Sequence, residues 1–362
     1  MAIADMAPVT GRVRYDGSRF GIGGLFLKTM LLSVVTLGIY NFWGRTQIRR
    51  AIWGAVSVDG EPFEYTGTGK ELFFGFLKAI AVLIGLGVVL AGIGFILGRL
   101  LQSRVALPVS MAAFYLIVAV LAVAAVYLAT RYRLSRTLWR GIRFGLDGTA
   151  RQFVLGTIGY SLLTVVTLGI CMPLLRTWQA RTIVNNARYG TVPFRMEARG
   201  AKLIWPWILT MLLAGPTLGI MLVWYRVREF RYWSSTVSIA GLKLEGRLRL
   251  GQVLGPTILL AVITIAIFAA LLVPTMLDVI EAARTHTPPP PSTSALTIIG
   301  IWLYVALAPT IGFVVLGHPV LKASCETMAI GGALDLEAVA QSSDAGPRTG
   351  EGLFALLDGG GL

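Results

Sequence analysis

Apolar positions dominate this chain in seven long blocks, and the polar positions between the blocks follow a repeating order. The blocks lie at about 24–42, 74–98, 107–130, 153–175, 203–224, 252–277 and 296–318. Each approaches or exceeds the roughly 20 residues that carry a helix across a hydrocarbon core, so the pattern predicts an α-helical polytopic membrane protein. Three blocks end alike: LLSVVTLGIY at Leu31–Tyr40, LLTVVTLGIC at Leu162–Cys171 and LLAGPTLGIM at Leu212–Met221. Thr-Leu-Gly-Ile therefore recurs, and internal self-similarity of this kind describes how a fold is assembled. The basic residues that follow fall into register. Arg45, Arg176 and Arg226 share one column, and Arg50, Arg181 and Arg231 share another. A further copy without the TLGI lead has Arg131, Arg136 and Trp139 spaced as Arg45, Arg50 and Trp53 are.

Short β-prone ribbons separate these segments from the next apolar block. They are Gly11–Phe20 around Asp16-Gly17, Val56–Tyr65 around Asp59-Gly60, Ile142–Phe153 with Asp147-Gly148, Tyr189–Met196, and Thr236–Leu250. Asp-Gly between alternating strands is a strong hairpin signal. A lone hairpin is marginal in water, so the ribbons make physical sense paired with one another or lying on the membrane surface, as a small β-hairpin layer at the cytoplasmic face. Whether they can meet depends on topology. If all seven blocks cross, the loop Lys and Arg residues divide twelve against eighteen between the two sides. If the blocks ending in TLGI dip in and return, leaving 74–98 with 107–130 and 252–277 with 296–318 as spanning pairs, the division is twenty-seven against three (Arg99, Arg104, Arg284). The second arrangement follows the positive-inside rule far better. Its break points would be Thr36 and Gly38, Thr167 and Gly169, Thr217 and Gly219, the glycines relaxing the backbone there. The competing reading, full spans carrying ordinary transmembrane glycines, stands beside it.

Composition agrees with the blocks. The chain is 55% hydrophobic and 14% charged, with mean hydropathy +0.73, where soluble domains carry about a quarter charged residues. The formal net charge of +14 points to anionic lipid head groups as partners rather than to nucleic acid, because it sits in loops flanking apolar blocks. Residues 1–23 lack the apolar core of a cleaved signal peptide. We read 1–330 as a single integral membrane domain. Residues 331–362 are read as a flexible acidic and Gly-rich tail, with Gln341–Gly350 disordered and Gly352–Leu357 a floppy end. Pro288–Pro291 reads as a stiff polyproline connector.

Candidate chemistry is sparse. Cys171, Cys325, His286 and His318 are isolated in sequence and make neither a disulfide framework nor a metal site, so no metal or cofactor is expected. No acidic residue falls within the apolar cores, which removes the usual relay of a proton- or sodium-coupled transporter. No nucleophile, metalloprotease or Walker pattern occurs, and the chain is not expected to be an enzyme. The threonines at the TLGI breaks suit back-bonding to the preceding helical turn. The eight arginines Arg45, Arg50, Arg131, Arg136, Arg176, Arg181, Arg226 and Arg231 are candidate ligand- or lipid-binding residues, besides serving as topology anchors.

The succession Thr36-Leu37-Gly38-Ile39-Tyr40-Asn41-Phe42-Trp43, then Arg45 and Arg49-Arg50, then Gly60–Gly69 with Glu71-Leu72-Phe73, resembles the YjgN family of bacterial inner-membrane proteins. The likeness is sharpest over about 20–80 and continues loosely to about 330. The second copy departs from it, with Cys171-Met172-Pro173-Leu174-Leu175 replacing the aromatic run. The resemblance implies a multi-pass protein of the bacterial inner membrane. That family is of unknown function, so it carries over no catalytic or binding residues. The working expectation is a transporter- or channel-like protein for a small anionic or amphiphilic solute, or a lipid, with a cavity lined by the TLGI breaks. The rival is a non-transporting envelope scaffold or sensor acting through the cytoplasmic ribbons.

Overall fold

The structure, a computed structural model, describes residues 13–102, 104–286, 288 and 291–331. Its organising element is one antiparallel sheet of ten strands whose spatial order is the chain order. Four tight hairpins belong to it: β2 (Val56–Val58) with β3 (Glu61–Tyr65), β4 (Thr137–Trp139) with β5 (Ile142–Leu146), β6 (Ala187–Tyr189) with β7 (Val192–Met196), and β8 (Val237–Ile239) with β9 (Leu242–Gly246). β1 (Val13–Tyr15) and β10 (Met328–Gly331) form the two ends. These come together in space, so the sheet curls nearly into a barrel.

Every other connection in the sheet is a helical excursion that leaves it and returns to the neighbouring strand. Two excursions are long. α3 (Gly69–Leu100) and α4 (Ala106–Ser135) join β3 to β4, where Tyr65 faces Thr137. α9 (Leu250–Thr285) and α10 (Pro291–Gly312) join β9 to β10, the latter continuing through a π-type turn at Phe313–Gly317 into α11 (His318–Glu326). Among the described residues these supply four helices long and apolar enough to cross a membrane, the fourth running over Ala295–Glu326. This is the architecture of a membrane protein.

The other three excursions are short and broken. α1 (Arg19–Val35) and α2 (Asn41–Ala55) join β1 to β2; α5 (Ala150–Val166) and α6 (Met172–Asn186) join β5 to β6; α7 (Ile204–Leu213), preceded by a 3-10 turn at Gly200–Leu203, and α8 (Ile220–Ser234) join β7 to β8. The blocks at 24–42, 153–175 and 203–224 are thus not continuous helices: each is divided at TLGI. The reason is local. Thr36 Oγ1 donates to the Leu32 carbonyl at 2.7 Å and accepts from the Tyr40 N–H at 2.9 Å. Thr167 and Thr217 do the same toward Leu163 and Cys171, and toward Leu213 and Met221. Leu37, Leu168 and Leu218 then adopt φ of 50°, 50° and 48°, and Gly38, Gly169 and Gly219 φ of 89°, 89° and 85°. Two left-handed residues in succession reverse the chain. The glycine N–H closes the turn on Ser33, Thr164 or Ala214 at 2.7 Å.

Turn chemistry also sets the strands, with two departures from expectation. Asp59-Gly60 turns β2 into β3 with φ of 53° and 86°, a pair of positive values that suits the twist of a two-residue hairpin. Asp16-Gly17 makes no hairpin. β1 pairs with β2 instead, and Ser18 caps α1, its Oγ accepting the Gly21 N–H at 3.1 Å. The ribbon expected at 142–153 lies earlier, at 137–146, and turns at Arg140-Gly141 (φ 49° and 74°). Asp147-Gly148 leads into α5, whose N-cap is Thr149. Pro291 opens α10 rather than ending a polyproline connector; positions 289 and 290 of that connector, and the tail expectations for 332–362, fall outside the described residues.

Candidate functional site: an apolar chamber inside the sheet

The five-residue strands share one alternation. In β5, β7 and β9 the first, third and fifth residues turn inward and the second and fourth outward, as pleating requires; β3 follows them at its third and fifth positions, while its first residue, Glu61, is exposed. The third positions are Phe63, Phe144, Phe194 and Leu244. The ends of the three-residue strands β2, β4, β6 and β8 point inward beside them, as Val58, Trp139, Tyr189 and Ile239, all less than a tenth exposed. The result is a run of rings along the concave face. Phe63 and Phe144 lie 6.0 Å apart, Phe144 and Phe194 6.3 Å, Phe144 and Tyr189 4.9 Å, and Trp139 and Tyr189 5.5 Å. Tilted and stacked ring contacts at these spacings are favourable beyond the area they bury.

These side chains do not fill the curled sheet. They line a cavity of about 460 Å³ that presents no polar surface and is closed on the helical side by Leu321, Ser324 and Cys325 of α11. Tyr189, whose phenol burial pushes to a higher pKa, keeps its hydroxyl out of the wall by donating to the Trp139 carbonyl at 3.0 Å. A second hollow of about 470 Å³ adjoins the first and shares Val56, Phe63, Phe144 and Leu321 with it. It lies between α2 (Ile52, Trp53) and the end of α4 (Thr130, Leu134), and Arg133 is its charged wall residue. Apolar pockets of this size are typical of small-ligand sites.

The break residues lie elsewhere, so the expectation of a cavity lined by TLGI does not hold for this chamber. Leu37, Leu168 and Leu218 at the turn tips are 94%, 86% and 95% exposed, and Val34, Val35, Val165, Val166 and Leu212 beside them are exposed as well.

The eight arginines do not converge on one site. Arg50 donates to the Tyr65 and Gly67 carbonyls, each at 3.4 Å, and Arg231 to the Leu248 carbonyl; both pin the loop between a strand and the following long helix. Arg136 pairs with Glu71 at 2.7 Å, and Glu71 also accepts from the Tyr132 hydroxyl at 2.5 Å. Arg45 and Arg131 are half-buried on α2 and α4. Arg176 and Arg226 do meet, on Glu229 of α8, at 3.1 and 3.3 Å. Glu229 is 3% exposed, and burial pushes its carboxyl up to about 7 against the pull of Arg226. Its Oε1 and the hydroxyl of Tyr225, one turn earlier, are buried without hydrogen-bond partners. Arg181 lines a separate polar cleft. Among the described residues no three His, Cys, Asp or Glu side chains gather as a metal site would require.

The chamber residues were missed from sequence because each is an ordinary apolar residue at one strand position. Aligning EPFEY, IRFGL, VPFRM and LKLEG places a large side chain in the third column four times, which is the signal available.

A family model described as "Bacterial protein of unknown function (DUF898)" matches residues 10–356. The chain is 28% identical over 140 residues to a curated relative from Salmonella typhimurium, "Inner membrane protein YjgN", an alignment covering 36% of this chain and 31% of the relative. The match therefore spans under a third of that relative's length. No solved structure matches the chain.

Proposed function

We propose, for a chain that belongs to the DUF898 family of bacterial proteins of unknown function, that it binds an amphiphile drawn from the bilayer, holding the apolar tail inside the curled sheet. The observation that carries this is the apolar chamber with its neighbouring hollow beside Arg133. A tail would occupy the apolar interior while a polar or anionic head stayed near that guanidinium. The chamber does not suit an ion, which would lose its hydration with nothing to replace it. This favours uptake, handover or sensing of an amphiphile over conduction, and it assigns no chemical step to the protein.

The membrane arrangement that supports the reading is a bacterial inner-membrane protein, the location given in the relative's name. Four helices would cross and three broken pairs would dip in and return. The short helices of 10 to 17 residues reach no more than about 25 Å at 1.5 Å per residue, short of a roughly 30 Å hydrocarbon core. Their exposed apolar tips fit immersion in lipid. Arg99, Arg104 and Arg284 sit at the far ends of the long helices and the other described loop cations toward the sheet, as the positive-inside rule asks of a cytoplasmic sheet. The recurring turn and arginine columns fit assembly from a repeated helix–strand unit.

Titration of the detergent-solubilised protein with a fluorescent long-chain fatty acid tests the binding. Phe144→Trp and Phe63→Trp, which shrink the chamber, are expected to weaken it about tenfold or more, since filling a fixed cavity forces overpacking. Wild-type affinity in both variants, with their folding intact, overturns the assignment.

A further inference from the structure

The second arginine column shows an inequality that the amphiphile reading does not use. Four arginines occupy equivalent places after the apolar segments. Arg50 and Arg231 are spent on backbone carbonyls, and Arg136 on Glu71. Arg181 has none of these ties. The work its counterparts do, anchoring the end of the second hairpin strand, passes in this copy to Asn185, whose Oδ1 accepts the Met196 N–H at 2.6 Å. Arg181 opens instead onto a polar cleft of about 940 Å³ between α6, the 197–203 segment and the end of α8.

Three more cations line the same cleft. Arg199 and Lys202 come from the segment before α7, and Lys243 from the outward face of β9. Glu197 is the one carboxylate in the wall, leaving three positive charges uncancelled. The segment is held in place by Tyr232 of α8, whose hydroxyl accepts the Arg199 N–H at 2.7 Å, while Lys202 lies over the same ring, 5.8 Å from its centre. The guanidinium and ammonium groups themselves remain exposed. Four cations gathered from three elements around one cleft make a positive potential there that favours a bound anion. Guanidinium forks and ammonium point charges together are the usual grip on phosphate. Lys202 lies in the turn that leads into α7, so the cleft also lies where a lipid head group would reach if α7 enters the membrane.

We propose that this cleft binds a phosphate-bearing anion, with Arg181, Arg199, Lys202 and Lys243 as its ligands. The phosphate can belong to an anionic lipid or to a soluble phosphorylated compound. The site is distinct from the apolar chamber and does not depend on it.

The test uses the full chain in detergent, with two probes: short-chain phosphatidylglycerol, and inorganic pyrophosphate. The variants are Arg181→Gln and Lys243→Gln, with Arg14→Gln on β1 as a control of equal charge change. The substituted side chains are exposed, and size-exclusion profiles and melting midpoints report on folding. Loss of charge-assisted contacts is expected to weaken the bound probe about tenfold or more in each cleft variant and not in the control. That pattern with phosphatidylglycerol assigns a lipid source, and with pyrophosphate a soluble one. Neither probe binding the wild type, or equal weakening in Arg14→Gln, overturns the proposal. If Lys243→Gln misfolds, Lys202→Gln replaces it.

Discussion

At the scale of the residue, Glu229 is the carboxylate whose surroundings matter most. It is anchored by two arginines and yet leaves one oxygen unpaired in a buried site. Burial pushes its carboxyl up to about 7 from an ordinary 4.5, against the opposing pull of Arg226. The folded protein thus holds a proton between those values that the unfolded chain releases. Its contribution to stability is full below about 4.5 and is lost as pH rises through about 7, an effect on the order of 3 kcal/mol at most. Melting of the detergent-solubilised protein between pH 5 and 8 should therefore fall with rising pH, and Glu229→Gln should flatten that fall. An unchanged slope in the variant would place the titrating group elsewhere. Arg176 and Arg226, read in sequence as members of one ligand-binding column, act here as partners of this carboxylate. No local pattern announces that, because Arg176 and Glu229 lie on different helices.

At the scale of the element, the broken helix pair is the recurring device. Its threonine satisfies backbone groups on both sides of the break, and its glycine sits where φ is positive. Gly38 has open space around it, as does Gly24 in the middle of α1. Substitution to alanine at the two positions therefore isolates backbone conformation from packing. Gly38→Ala should destabilise the protein by about 1 kcal/mol, whereas Gly24→Ala should be neutral or stabilise it by up to about 1 kcal/mol through helix propensity. Comparing the two melting midpoints checks this, and equal shifts would mean that the left-handed turn is not retained. The placement of these breaks was legible in the sequence, since Thr and Gly act within a turn of where they stand. The hairpin turns were legible where Asp-Gly sat between strands, and misread at Asp16-Gly17 and Asp147-Gly148. There the same dipeptide precedes a helix cap: Gly148 takes a positive φ just before Thr149, while Asp16 and Gly17 lead into the Ser18 cap without one.

At the scale of the whole molecule, each helical excursion begins and ends on neighbouring strands of one sheet. The hairpin positions Ser57, Thr191 and Ser238, together with Thr149, should then share one side of the membrane. Single cysteines there, in a background lacking Cys171 and Cys325, are expected to resist a membrane-impermeant thiol reagent on intact cells and to react once the membrane is opened. Cysteines at Gln102 and Thr285, at the far ends of the long helices, should react at once. Labelling of Thr191→Cys from outside would mean that the segments around α5 and α6 cross fully, and the proposed cytoplasmic placement of the sheet would fail with it.

The division between chain and fold follows from range. By itself the sequence determined the apolar blocks, the TLGI breaks, the hairpin-forming ribbons and the asymmetry of positive charge, because each is a local or periodic property of neighbouring residues. Only the tertiary structure decided that the ribbons join into one curled sheet, that Phe63, Phe144 and Phe194 face a common chamber, and that arginines of one column meet different fates. Those outcomes rest on pairings such as Tyr65 with Thr137 and Leu146 with Ala187. They join residues tens of positions apart, where no period or spacing survives the intervening helices.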